Sequence, residues 1–403
     1  MTEIALSRVD GLLKIPFHKD YILSEPRIRA AENPKKVVLL VPHHTPMVKA
    51  GDTVLCGQII AEGVLPIHAT VSGVITAVGQ SIEIEADGKN LSVDSFGVER
   101  ADSEIESLSP ENFQSIAIEN SVADLRNTEV IIFNGSESEP YLTSDYLLML
   151  SKPVEILRGV EYLLRATGAR EAVIAIAEDK RECYEIFASK LFTHKIQKIR
   201  LQWLKDSYPQ GFDVQLKAQI LGKPNEQEVA IFSIPQAFAF FEAVKFRKPF
   251  IERVVTVAGG CVMQPQNIWA RFGTSIQNVF DQCGGFLRFP SRVIMNGPMT
   301  GIAQDTLNVP VTREMAGVLA FPKEDNILQE AEPCIRCGDC IPVCPVSINP
   351  AAIIDFALKA DWKHAAEFYP QDCVACGNCS YVCPSKITVM DLVIQAKEAI
   401  CPK

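Results

Sequence analysis

Eight of the thirteen cysteines fall into two short runs with the same spacing. Each run reads C-x2-C-x2-C-x3-C-P, at residues 334–345 and again at residues 373–384. This spacing is typical of bacterial two-cluster ferredoxins, in which three close thiolates hold one [4Fe–4S] cluster and the fourth cysteine ligates the other cluster. The sequence therefore predicts two [4Fe–4S] clusters, whose chemistry is one-electron transfer.

The last cysteine of each run is expected to ligate the cluster held by the other run. The predicted ligands are then, for the first cluster, Cys334, Cys337, Cys340 and Cys383, and for the second, Cys373, Cys376, Cys379 and Cys344. Zinc is the alternative, but structural zinc sites usually pair two C-x2-C elements across a longer loop. Three cysteines at successive three-residue steps, repeated twice, favour iron–sulfur clusters. The five scattered cysteines are expected to be buried small side chains.

Two helical stretches are expected to frame the cysteine runs. Asn349 and Pro350 are an N-cap and a first-turn proline, and they begin a helical insert that extends to residue 369. Residues 386–400 predict a closing helix with an apolar face made of Val389, Leu392, Val393 and Ala396. The predicted clusters thus lie in a small helical domain.

Residues 48–78 carry β-branched residues in alternation, separated by glycine turns, which indicates a small β-sandwich. The segment resembles the biotinyl/lipoyl barrel-sandwich. Carriers of that family attach their cofactor to a hairpin lysine, but no lysine lies between Gln58 and Gly73. A swinging-arm function is therefore not expected, and His68 is expected to pack or to bond to a turn.

The middle of the chain alternates strands and helices. Apolar strands are expected at residues 129–134 and 172–177, each followed by a helix, which indicates an α/β layered domain. The acidic stretch at residues 101–112 is expected to be a solvated linker.

One segment of this middle domain resembles a known family. Residues 134–145, NGSESEPYLTSD, resemble the flavin-contact segment of the 51 kDa subunit of respiratory complex I, and more closely the C subunit of the Rnf electron-transport complex. The resemblance continues through residues 208–211, 248–257 and 296–301. It implies a Rossmann-like domain that binds FMN and NADH, with Asn134, Glu137 and Glu139 as candidate contacts, followed by a β-grasp (SLBB-like) module.

The chain departs from that family at the flavin site. The family has a glycine-rich loop before the Asn134 strand, yet no glycine lies from residue 98 to residue 134. Phe212 follows residues 208–211 where the family has glycine, and the stretch around Ile234 is also altered. Since only glycine lets backbone N–H groups approach a phosphate closely, FMN and NADH binding is expected to be weakened.

Length and composition agree with a multidomain α/β protein. The 403 residues, 47% hydrophobic, suffice for four domains. We expect an N-terminal domain at 1–100 with the barrel-sandwich at about 36–80, a 51 kDa-like domain at 110–245, the β-grasp module at 250–322 and a two-cluster ferredoxin domain at 325–403. The net charge of −10 disfavours nucleic acid as a partner.

The resemblance implies an iron–sulfur electron-transfer subunit of an Rnf-type ion-translocating oxidoreductase, acting between NADH or flavin and ferredoxin or another carrier. Its partners would be membrane subunits. Because the chain shows neither a secretory signal nor a long apolar run, it is expected at the cytoplasmic face of the inner membrane as a peripheral subunit. The alternatives are a soluble flavin and iron–sulfur reductase of the cobalamin-reductase type and a relay or scaffold without flavin.

Overall fold

The computed structural model describes residues 12–20, 26–222, 229–325 and 330–401. The strands of the N-terminal part are β1 (Ile28–Ala30), β2 (Lys36–Leu40), β3 (Thr45–Pro46), β4 (Thr53–Val54), β5 (Ile59–Glu62), β6 (Ile67–His68), β7 (Gly73–Val78) and β8 (Ser81–Ala86). Strands β2 to β8 belong to the barrel-sandwich, whereas β1 belongs to another sheet.

Strands β2 to β8 form two small antiparallel sheets, in the orders β2-β8-β7-β4 and β3-β5-β6. The alternation of apolar and polar residues decides which face of each strand packs inside. Val37 and Leu39 of β2 are buried and lie opposite Ile84 and Ile82 of β8. The barrel-sandwich expected from the sequence is therefore confirmed.

The middle domain is a parallel sheet with helices on both faces. Its elements are α1 (Asp102–Glu106), α2 (Pro110–Glu119), β9 (Val130–Gly135), α3 (Ser144–Ser151), α4 (Pro153–Thr167), β10 (Glu171–Ala177), α5 (Arg181–Thr193), β11 (Ile199–Leu204), α6 (Asp213–Leu221), β12 (Val229–Ser233) and α7 (Ile234–Phe246). The strand order β11-β10-β9-β12 is parallel throughout. Residues 130–133 are all buried, as expected for a strand covered on both faces.

The expectation of a linker at residues 101–112 is wrong in its local structure. The stretch forms α1 and the first turn of α2, although most of its side chains are exposed as expected. Ser109 caps α2 by accepting a hydrogen bond from the Asn112 amide, and Pro110 occupies the first turn. These start signals explain the helix, because a capped helix needs only one buried face to be stable.

The third unit contains β13 (Glu252–Ala258), β14 (Gln266–Arg271), α8 (Ile276–Gln282), β15 (Arg292–Met295), β16 (Ile302–Gln304) and β17 (Gly317–Phe321). They form one mixed sheet in the order β1-β14-β13-β17-β15-β16. Strand β1 comes from the N-terminal part of the chain and pairs in parallel with β14. Part of the segment expected to fold with the barrel therefore completes the sheet of the β-grasp unit.

The C-terminal unit is helical, with α9 (Pro350–Ala357), α10 (Trp362–Ala365), α11 (Asn378–Tyr381) and α12 (Val389–Ile400). The helical insert is divided into α9 and α10, because the chain turns at residues 358–361. Asn349 caps α9 as expected, its side chain accepting a hydrogen bond from the Ala352 amide at 3.1 Å. The two longer helices pack through a shared apolar core that includes Ile353, Val389 and Val393.

Candidate metal centres

The two cysteine loops have the same backbone shape. Arg336 and Ala375 occupy equivalent positions, with φ of 56° and 54°, although neither is glycine. Each donates its backbone N–H to the sulfur of the cysteine two residues earlier, Cys334 or Cys373, at 3.4 Å. A left-handed residue other than glycine costs about 1–2 kcal/mol, so its occurrence at both positions points to a shared task, which is to present an amide to a ligand sulfur.

Thiols from both runs meet at each predicted centre. Burial, together with the nearby thiols of Cys337, Cys334 and Cys383, raises the pKa of Cys340 to about 11. The other four predicted ligands line one small cavity in the helical unit, and they are Cys344, Cys373, Cys376 and Cys379. Both groups correspond to the crossed assignment made from the sequence, so that assignment continues as a proposal with geometric support.

The donor chemistry at both centres is thiol only. Within the described part of the chain, no three His, Cys, Asp or Glu side chains converge closely enough to hold one metal ion. Thiolate is the ligand that iron–sulfur clusters take, and the residues present fit two [4Fe–4S] clusters.

The two centres differ in their exposure. Cys334 and Cys337 are exposed, whereas Cys376 is buried in a cluster of apolar side chains. Tyr208, which is also fully buried, donates its hydroxyl to the Cys376 carbonyl at 2.7 Å. The second centre is therefore joined to the middle domain, and the first centre faces outward.

Asn134 and Glu137 lie at the carboxyl end of β9, as the sequence predicts. The Asn134 amide donates to the Gly211 carbonyl at 2.8 Å and its oxygen accepts two hydrogen bonds from Ser136. The Glu137 carboxylate accepts from the backbone N–H groups of Asp145 and Tyr146, at 2.8 and 3.1 Å. Glu137 thereby caps the N-terminus of α3, where a negative charge is stabilised.

Glu139 faces the β-grasp unit. Its carboxylate accepts a hydrogen bond from the Met299 amide at 3.1 Å and another from the Thr300 hydroxyl. Burial raises its pKa, while these hydrogen bonds act in the opposite direction. The structure thus brings Asn134 and Glu137 to one edge of the parallel sheet and uses Glu139 to hold the loop after β15.

Residues 12–20 run along the same edge of the sheet, which sequence analysis did not foresee. Leu13 pairs with Tyr208 through two backbone hydrogen bonds, and the Phe17 carbonyl accepts from the Tyr141 amide. Lys19 is buried and donates to the Glu137 carbonyl at 2.8 Å. Burial lowers the pKa of Lys19 to about 8, with a further lowering from Lys180. Little in the local pattern signals this position, because the segment lacks a periodic apolar face.

The local structure at this edge of the sheet decides which backbone amides could bind a flavin. The first part of the stretch that replaces the glycine-rich loop lies in α2, and the amides of residues 120–123 bond back to the end of that helix. A side chain at Gly211 would clash with the Ser136 hydroxyl, so the space beside this glycine is filled by the protein itself. Among the described residues of this stretch, the amides of residues 120–123 are therefore not available to a flavin phosphate.

Four family models match the chain in sequence order. They are the RnfC barrel sandwich hybrid domain at residues 9–96, the Nuo51 FMN-binding domain at 115–240, the SLBB domain at 254–303 and the 4Fe-4S dicluster domain at 333–387. Together with the sheets and helices described above, these matches confirm the multidomain α/β fold class.

Curated relatives match over most of the chain. The C subunit of a Na(+)-translocating ferredoxin:NAD(+) oxidoreductase complex from Acetobacterium woodii is 29% identical, covering 97% of this chain and 96% of the relative. The C subunit of the proton-translocating complex from Clostridium ljungdahlii is 30% identical, covering 87% and 84%. The C subunit of an ion-translocating oxidoreductase complex from Rhodobacter capsulatus is 31% identical, covering 83% and 72%.

A solved structure shares the fold. A chain of an NAD+-reducing [NiFe]-hydrogenase superposes with a TM-score of 0.50 at 14% sequence identity, covering 76% of this chain and 68% of that one. None of the helices in the described ranges has both the length and the apolar character needed to cross a bilayer. On the relatives and the ordered family matches, the chain belongs to the family of C subunits of ion-translocating ferredoxin:NAD(+) oxidoreductase complexes.

Proposed function

We propose that this chain is the iron–sulfur electron-transfer subunit of an Rnf-type ion-translocating oxidoreductase complex. The observation that carries the proposal is the pair of four-thiol sets, each built from both cysteine runs, in a domain joined directly to the flavin-type domain. Its ligands would be Cys334, Cys337, Cys340 and Cys383 at the first centre and Cys373, Cys376, Cys379 and Cys344 at the second. Such clusters supply one-electron transfer when bound.

The difference in exposure supports an order for the two centres. The second centre packs against the middle domain through Tyr208 and through Gln215, whose side chain donates to the Pro345 carbonyl at 3.1 Å. The first centre has exposed cysteines, with the exposed side chains of Ile335 and Arg336 beside them. We assign the first centre to exchange with an external redox partner, which is ferredoxin, another carrier or a membrane subunit.

We propose that the chain associates with the membrane subunits of the complex as a peripheral subunit, in keeping with the relatives, which are C subunits of such complexes. We place it at the cytoplasmic face of the inner membrane, where ferredoxin and NADH are found. The named activities of its relatives, ferredoxin:NAD(+) oxidoreduction coupled to Na(+) or proton translocation, are assigned to the assembled complex.

Contact of FMN or NADH with Asn134, Glu137 and Glu139 stays a prediction. In the structure these side chains position parts of the protein: Asn134 holds the loop at Gly211, Glu137 caps α3, and Glu139 holds the loop at Met299.

Anaerobic reconstitution of the full chain, followed by iron, sulfide and flavin analysis, tests the proposal. About eight irons per chain are expected for two clusters. Cys344→Ser should perturb the cluster that depends on Cys373, Cys376 and Cys379, whereas Cys383→Ser should perturb the other. A preparation that holds zinc without sulfide would refute the proposal. Stoichiometric FMN with NADH-dependent reduction of an acceptor by the chain alone would instead favour a soluble reductase.

A further inference from the structure

A single lysine reaches the backbone of the second cysteine loop. The Lys397 ammonium donates to the Cys373 carbonyl at 2.8 Å and is partly buried there. Helix α12 places it, because Lys397 lies four residues after the buried Val393 and next to the buried Ala396. The helical period therefore puts a positive charge at the edge of the apolar face, a signal already present in the sequence.

The position of Lys397 gives the second centre a nearby cation. Its ammonium group lies at the carbonyl of Cys373, a predicted ligand, so a positive charge stands at the cysteine loop itself. At the first centre, a cation beside the cysteines is Arg336, whose side chain is exposed and lies 3.9 Å from the Asp355 carboxylate. Lys397 is less exposed than Arg336, so solvent and salt screen its charge less.

The repeat in the sequence shows the same asymmetry. Lys397 lies 14 residues after Cys383, and the residue 14 positions after Cys344 is Leu358. Leu358 follows the last turn of α9 and is exposed. Where the second centre's helix carries an ammonium group, the corresponding place after the first run therefore carries an apolar side chain.

We propose that Lys397 raises the reduction potential of the cluster held by Cys373, Cys376, Cys379 and Cys344. Adding one electron makes a cluster and its thiolates one charge more negative. A buried centre resists that charge, whereas an adjacent ammonium stabilises it. Lys397 therefore offsets the burial of the inner cluster and keeps it reducible from the exposed outer cluster. This inference rests on the proposed function, since it requires both clusters.

The test compares reconstituted full-length wild type with Lys397→Gln, Lys397→Met and Lys397→Arg by redox titration followed with EPR. Glutamine retains an N–H donor for the Cys373 carbonyl but removes the charge. We expect Lys397→Gln and Lys397→Met to lower one of the two midpoint potentials, with about a tenfold change in the reduced-to-oxidised ratio, which is about 59 mV for a one-electron couple. Lys397→Arg should stay close to wild type.

Lys359→Gln is the matched control, because Lys359 is an exposed lysine of the same domain that pairs with Asp355. Lys359→Gln should leave the midpoint potential of the inner cluster unchanged. The midpoint potential that Lys397→Gln lowers must be that of the cluster perturbed by Cys344→Ser. If Lys397→Gln binds eight irons with both potentials unchanged, or loses iron while Lys397→Arg keeps it, the inference is overturned although the proposed function stands. A wild-type chain without iron would overturn the proposed function itself.

Discussion

His68 is a buried polar residue that is held by a specific partner. Its side chain is buried at the end of β6, and its Nδ1 lies 3.0 Å from the Ser121 hydroxyl. The sequence-based expectation that His68 packs in the protein is therefore confirmed. Burial lowers its pKa to about 4, because the charged ring would lose its hydration.

The pKa of His68 predicts a pH dependence of stability. Because the folded pKa lies below that of an unfolded histidine, the folded protein binds the proton less tightly, and stability is complete above about pH 6.5 and decreases as the pH falls toward 4. Between pH 7 and pH 5 the loss is about 2 kcal/mol. Denaturant unfolding of His68→Gln should lack this part of the loss. His43→Gln, which changes an exposed histidine of the same domain, should retain it, and equal profiles for wild type and His68→Gln would contradict the prediction.

At the scale of elements, the contact between two helices restricts which residue can lie where they cross. Helices α4 and α7 cover the same side of the parallel sheet and cross at Gly159. A Cβ at Gly159 would lie 1.8 Å from the Ala237 carbonyl oxygen, so the two backbones touch without an intervening side chain. Glycine in a helix costs roughly 1 kcal/mol relative to alanine, and here the close approach outweighs that cost.

Gly159→Ala is expected to destabilise the middle domain despite its better helix propensity. The added methyl forces α4 and α7 apart, and overpacking of this kind costs about 1–3 kcal/mol. Thermal or denaturant unfolding measures the effect. Gly79→Ala is a suitable control, since a Cβ at that position meets nothing within 4 Å. A Gly159→Ala variant as stable as the wild type would show that the helices separate without cost.

Across the whole molecule, the loop at residues 208–212 joins three parts of the chain. Tyr208 pairs with Leu13 through the backbone, packs with Phe212 and bonds to the Cys376 carbonyl. On the other side of the same cysteine loop, a Cβ at Gly377 would lie 2.8 Å from the Met299 carbonyl, so the β-grasp unit also reaches it. The second centre is thus enclosed by the N-terminal segment, the middle domain and the β-grasp unit.

Tyr208→Phe tests how far this junction depends on one hydroxyl. The change leaves the buried Cys376 carbonyl without that donor, which costs about 1–3 kcal/mol. We expect faster hydrogen exchange at residues 373–379 and easier proteolysis between the β-grasp and cluster units, with the iron content retained. Exchange within the barrel-sandwich should stay unchanged. Identical exchange at the cysteine loop in both proteins would show that the hydroxyl does not stabilise the junction.

The sequence alone determined what depends on local spacing. Two cysteine runs of the same spacing specify two clusters, alternation specifies the barrel strands, and the Asn349 cap and apolar period specify the helices around the runs. Each of these features is decided within a few neighbouring residues. The acidic stretch before β9 was misjudged for the opposite reason, since its helix also depends on a face buried against α4.

Only the tertiary structure decided which distant groups meet. It brought Lys397 to Cys373, Glu139 to Met299 and residues 12–20 to the edge of the parallel sheet. It also exposed one centre and enclosed the other, although their sequence motifs are the same. Burial at the second centre arises from surfaces contributed by other units, so no local pattern encodes it.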